Sequence, residues 1–87
     1  MTNRPWCVYL VRCADDTLYT GCTNRLTARL QAHNNGQGAK YTRSRRPVRL
    51  QWHQEVADKR AALALESRIK RYTRRQKLAL IAGADYA

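Results

Sequence analysis

The chain has 87 residues, 44% of them hydrophobic, and sets 17 Lys and Arg against 6 Asp and Glu for a net charge of +11. That length suits one domain around a small core, spanning 1–87 with its folded part at about 6–82, and no apolar run approaches the roughly 18 residues of a membrane span. The start, Met1 to Trp6, lacks the apolar stretch of an export signal, so a cytoplasmic protein is expected, and the cationic excess points to a polyanion as partner.

Residues 8–13 are largely β-branched and aliphatic, with Trp6 and Cys7 opening the strand, and Leu18–Thr23 mixes apolar residues with Thr. Between them Ala14-Asp15-Asp16-Thr17 supplies turn formers, so the unit reads as a β-hairpin. With Cys13 opposite Thr17 across a three-residue loop, Val11 faces Tyr19, Tyr9 faces Gly21, and Tyr9 and Tyr19 share one face. Asn24 is the expected N-cap of a helix over 25–34, in which Leu26, Leu30 and His33 form one stripe and Arg29 lies one turn before His33. Asn35-Gly36 stops it.

Residues 36–47 carry glycine and arginine without periodicity and read as an exposed, mobile loop. Tyr41 either stacks a base while neighbouring cations hold phosphates, or folds back onto the core. A third strand follows at 48–56, with Leu50, Trp52, Gln54 and Val56 on one face and His53 on the surface. Asp58 caps a helix over 59–72 whose buried stripe is Ala62, Leu65, Ile69 and Tyr72, with Glu66 beside it. Thr73 caps a last helix over 74–82, with Leu78, Ile81 and Ala82 inward and Gly83 as its stop, and 85–87 is a tail. The order is that of an α+β domain, a small three-stranded antiparallel sheet flanked by helices. Cys7, Cys13 and Cys22 lack metal-type spacing and read as small buried thiols.

The positive charge is clustered: 40–49 holds five basic residues and 68–77 six, neither with an acid. Lys40, Arg43, Arg45 and Arg46, with Tyr41, and Arg68, Lys70, Arg71 and Arg74 are the candidate nucleic-acid contacts, since the guanidinium fork suits phosphate.

Val8-Tyr9-Leu10 followed by Tyr19-Thr20-Gly21 resembles the paired signature of the GIY-YIG nuclease superfamily, with Val8 standing for Gly, Leu10 for Tyr and Thr20 for Ile. Further along, Arg29, His33 and Glu66 stand where that family places an Arg on the first helix, a His or Tyr one turn later, and a metal-binding Glu on the next long helix. The likeness is to the small stand-alone bacterial members. It implies a tyrosine as general base, Arg29 on the transition-state phosphate, and Glu66 holding one Mg²⁺ or Mn²⁺. Two departures stand out: Cys22 occupies a place where many relatives have Lys, and no Asn follows Asn35.

Cleaving a phosphodiester needs a nucleophilic water, a cation on the phosphoryl oxygens and relief of charge on the leaving oxygen. Tyr9, Tyr19, Arg29, His33 and Glu66 could together meet those needs, and one carboxylate suits one hard divalent ion rather than two. The expected activity is metal-dependent hydrolysis of DNA, single-stranded or branched because no second domain grips a duplex, in repair or recombination. The alternative is a nucleic-acid-binding module that keeps the fold without useful catalysis. Singly, each residue has a plainer reading. Glu66 can pair with Lys70, Arg29 can be a solvated cation, His33 can favour a helix C-terminus, and the tyrosines can be sheet aromatics.

Overall fold

The hairpin has the register expected of it. In the computed structural model, which describes residues 4–83, β1 (Trp6–Arg12) and β2 (Leu18–Thr23) pair antiparallel with Tyr9 opposite Gly21 and Val11 opposite Tyr19. The Cys13 N–H donates to the Thr17 carbonyl at 2.8 Å across the three-residue loop. Asp15 braces that loop by accepting from the Thr17 amide and hydroxyl at 3.1 and 2.6 Å. Asp16 takes the left-handed position (φ 70°) that closes such a loop, a conformation Asp tolerates better than most residues. The 85–87 tail lies outside the described residues.

The remaining elements are α1 (Leu26–Asn34), a short α2 (Lys40–Arg43), β3 (Arg49–Val56), α3 (Lys59–Lys70) and α4 (Arg74–Ile81). β3 pairs antiparallel with β1, so the sheet order is β2-β1-β3 and the first strand is central. The sheet has two covered faces. On one, Val8 and Leu10 pack with Ala62 and Ile69 of α3, joined by Trp52, Val56, Leu65, Tyr72, Leu80 and Ile81. On the other, Tyr9, Val11, Cys13 and Val48 pack with Leu26 and Leu30 of α1 and with Leu50. Burial of Ile69 alone is worth about 1.5–3 kcal/mol.

Several expectations need correction. Leu50 does not share a face with Trp52 and Val56. β1 meets β3 as Leu10 opposite Trp52 but Val11 opposite Leu50, which leaves Gln51 as a bulge, and the extra residue turns Leu50 to the α1 side. Asn24 does not cap α1. Arg25 holds that position without a side-chain bond, and its own amide donates to Thr23 Oγ1 at 3.0 Å. The expected inward Ala82 is exposed beyond the end of α4, and Leu80 packs in its stead. Asp58 and Thr73 do cap their helices, Thr73 in a reciprocal box with Gln76, and Gly83 ends α4 at φ 83°.

The 36–47 stretch is also more ordered by contacts than its composition suggests. Thr42, on α2, is fully buried, and Arg45 ties back to the hairpin tip through its carbonyl to the Ala14 amide (2.8 Å) and its Nε to Asp15 (2.9 Å). Asn34 clamps the entry to β3 with its amide, accepting from the Val48 N–H at 2.7 Å and donating to the Val48 carbonyl at 3.2 Å.

Candidate active site

Tyr9, Tyr19, Arg29 and His33 come together on the α1 side of the sheet. Alternation along β1 and the hairpin register put both tyrosine rings there, and the one-turn spacing on α1 brings Arg29 and His33 to them. Tyr9 Oη lies 2.8 Å from His33 Nε2, and the two rings meet edge-on at 5.9 Å. The Tyr19 ring meets His33 at 5.4 Å in the same manner. Gly21 makes room for this: a Cβ there would sit 2.4 Å from the Tyr9 hydroxyl, which gives the glycine of the second motif a packing reason. Gly38 does the same for His33, since its Cβ would stand 2.4 Å from Nδ1.

The two tyrosines are not equivalent. Tyr9 is fully buried, and burial pushes its hydroxyl up to about 12, although the Arg29 guanidinium against it pulls the other way. Such a phenol keeps its proton at neutral pH and has no open side for solvent. Tyr19 is half-exposed. Burial, with the nearby charge of Arg29, lowers His33, so its imidazole is neutral at neutral pH. Arg29 is half-buried among Tyr9, Tyr19 and Cys22, is held firmly charged by Tyr9, and keeps its Nε buried without a hydrogen-bond partner. A fixed cation with an unused donor is suited to an anion.

Glu66 is apart from this group. It stands on the α3 side of the edge strand β2, half-buried, next to Cys22 and 3.7 Å from Lys70. Cys22 lies between the two halves, and Glu66 raises its thiol after burial has done so. Among the described residues no cluster of three or more His, Cys, Asp or Glu is placed to hold a metal. Glu66 therefore offers a single carboxylate. That fits a hard divalent ion whose shell is completed by water and phosphate, and does not fit a structural zinc site.

The candidate nucleic-acid residues divide sharply. Tyr41 stacks on Tyr19 with centroids 5.8 Å apart, and the Arg45 guanidinium lies 4.0 Å from its ring centre. The ring is therefore engaged within the protein, though Tyr41 remains exposed. Arg45 is further held by Asp15, Arg74 by Asp16 at 3.0 Å, Lys70 by Glu66, Arg71 by Ser67 at 3.4 Å, and Arg46 by the Arg43 carbonyl at 2.8 Å. Lys40, Arg43 and Arg68 are exposed, and among the described residues their side chains make no hydrogen bond or ion pair. Sequence reasoning missed Thr42, whose hydroxyl lies 2.8 Å from His33 Nδ1. A threonine amid cations gives no sign that its partner is nine residues back.

The chain matches the model of the GIY-YIG catalytic domain over residues 5–79. It is 53% identical over 76 residues to the UPF0213 protein CPE1444 of Clostridium perfringens, covering 87% of this chain and 82% of that one. It is 54% identical over 69 residues to a UPF0213 protein of Bacillus pumilus, covering 79% and 70%. Among solved structures, the UPF0213 protein BH0048 of Bacillus halodurans superposes with a TM-score of 0.57 at 38% identity, covering 88% of this chain and 82% of that one. The protein EF2693 of E. faecalis gives 0.62 at 30%, covering 99% and 95%. The helix-flanked β-β-α-β-α-α sheet is that of these neighbours, and no helix among the described residues is long and apolar enough to cross a membrane. The chain belongs to the GIY-YIG family, whose domain supports a nuclease-type function.

Proposed function

We propose that this protein is a divalent-metal-dependent endonuclease that hydrolyses DNA, single-stranded or branched, in repair or recombination. The observation that carries the reading is the buried gathering of Tyr9, His33 and Arg29 beneath the half-exposed Tyr19, with an unpartnered donor on Arg29. β2 is an edge strand of the sheet. A phosphate chain passing its edge would meet Arg29 from one face of the sheet and Glu66 from the other. Tyr19, the tyrosine open to solvent, is the general base that takes a proton from the attacking water. Arg29 holds the charge that develops on the phosphoryl oxygens. Glu66 holds Mg²⁺ or Mn²⁺, which supplies Lewis-acid polarisation of the phosphate when bound. Of the candidate contacts, Lys40, Arg43 and Arg68 are the cations left for flanking phosphates, while the stacked Tyr41 serves to hold Tyr19.

Glu66→Gln is the direct test. It should abolish cleavage of labelled single-stranded DNA in Mg²⁺ or Mn²⁺ while leaving DNA binding and melting temperature close to wild type, because the carboxylate's bridge to exposed Lys70 is worth no more than about 0.5 kcal/mol. Undiminished cleavage by this variant would remove the metal site from the reading. An unaltered protein that binds DNA but never cuts it would favour the binding-module alternative.

A further inference from the structure

The partners of His33 suggest an order for its hydrogen bonds, taking Thr42 as donor to the Ala39 carbonyl. Thr42 Oγ1 lies 3.1 Å from the Ala39 carbonyl and 2.8 Å from His33 Nδ1. A carbonyl can only accept, so the single hydroxyl proton goes to Ala39, and Oγ1 must accept from Nδ1–H. A neutral imidazole has one ring proton. Nε2 is then a bare lone pair, and the Tyr9 hydroxyl 2.8 Å away donates to it. With its proton so directed, the Tyr9 oxygen turns its lone pairs outward, where the Arg29 guanidinium lies. Tyr9, His33 and Thr42 are all fully buried, so no water competes for these roles. Tyr9 from β1, Tyr19 from β2, Thr42 from α2 and Arg29 on its own helix are the groups that face His33, and Arg29 is the one cation whose charge acts to keep it neutral.

We propose that Thr42 is a positioning residue: by fixing the proton on His33 Nδ1 it polarises the chain from Arg29 through Tyr9 and His33 to the Ala39 carbonyl, and so holds Arg29 where a phosphate binds. The role of Arg29 toward phosphate rests on the function proposed above; the order of the chain does not. Gly38 belongs to the same device, because only a residue without a side chain lets the loop carry Thr42 so near the imidazole. In the opposite tautomer Thr42 would have to turn its proton to Nδ1 and leave the Ala39 carbonyl, and Tyr9 would have to accept from Nε2–H and compete with Arg29.

The test has two arms. Long-range ¹H–¹⁵N spectra of the DNA-free wild-type protein should give His33 protonated on Nδ1 and bare on Nε2. A ring protonated on Nε2, or one averaging between tautomers, would overturn the proposal whether or not the protein is a nuclease. In the second arm, Thr42→Val should lower cleavage at saturating single-stranded DNA about a hundredfold, as a misplaced reacting group does, with DNA affinity unchanged. Thr42→Ser, which keeps the hydroxyl, should recover most of that rate and the wild-type tautomer. A fully active Val variant, or a Ser variant as impaired as Val, would overturn the role. Should the Val variant not fold, the wild-type and Ser spectra still decide. Absence of cleavage by the wild type would defeat the nuclease reading, and the spectra would then test the hydrogen-bond order alone.

Discussion

The two faces of this sheet are equally buried but differently built. On the α3 side Val8, Leu10, Ala62 and Ile69 meet as hydrocarbon, and their contribution is area removed from water. On the α1 side Tyr9, His33 and Thr42 are just as closed off, yet each has a polar atom whose partner must be the right one. The first face tolerates changes of shape at a graded cost. The second is sensitive to single atoms, because a buried polar group that loses its partner has no water to turn to. Of the candidate site residues, Tyr9, Tyr19, Arg29 and His33 lie on the second face and Glu66 on the first.

Substitutions can break that contrast in a definite order of size. Tyr19→Phe should have the largest effect, a loss of roughly 10²–10⁴ in cleavage rate, equivalent to about 3–5 kcal/mol in the barrier. Its melting temperature should stay near wild type because the ring and its stack on Tyr41 remain. A fully active variant would move the base elsewhere. On the apolar face, Ile69→Ala should cost about 2–5 kcal/mol in denaturant unfolding while cleavage by the folded fraction is largely kept, since Ile69 packs with Val8, Leu10 and Ala62 rather than with Tyr19 or Arg29. A specific loss of activity in folded Ile69→Ala would mean the faces are more coupled than their contacts indicate.

Tyr9→Phe should fall between the two kinds of effect. It leaves His33 Nε2 buried without a donor and should cost about 1–3 kcal/mol, more than the same change at half-exposed Tyr19. It also changes the response to alkali. Tyr9 ionises near its ordinary value of 10 when unfolded and at about 12 when folded. Its contribution is therefore complete below pH 10 and is lost as pH rises toward 12, because the unfolded chain releases that proton first. Urea unfolding across that window should decline less steeply in the Phe variant; an identical decline would place the Tyr9 hydroxyl in contact with water. The smallest effect is expected at Thr20, which sits on the hydrocarbon face opposite Leu10 with its Oγ1 buried and unpartnered. Thr20→Val should raise stability by about 1 kcal/mol, and a destabilised variant would reveal a partner for that hydroxyl.

The same contrast explains what the sequence alone could tell. Hairpin register, helix caps at Asp58 and Thr73, and the Ala62–Ile69 stripe were legible because each follows from residues a few positions apart. The bulge at Gln51 was not, since Leu50, Trp52 and Val56 alternate perfectly and only pairing with β1 inserts the extra residue. The candidate site residues Tyr9, Tyr19, Arg29 and His33 were singled out through a family likeness, and the fold brings them together. Thr42 escaped because a buried hydroxyl is defined by what closes around it. The pairing of the charges was hidden in a related way. The clusters were counted correctly, but Asp15 and Asp16 at the hairpin tip engage Arg45 and Arg74, which composition cannot foretell.

The strand order has a consequence for the protein as it is made. β1 is central, but the strand that covers its second edge begins only at Arg49, while the first edge is covered as soon as the hairpin closes at Thr17. During synthesis the hairpin can form early from local contacts, and its most apolar strand then waits with a row of free amides and carbonyls until more than half the chain has left the ribosome. The arginine-rich 36–47 segment emerges in that interval. Its charge would keep neighbouring nascent chains apart and guard an edge that could otherwise pair between molecules.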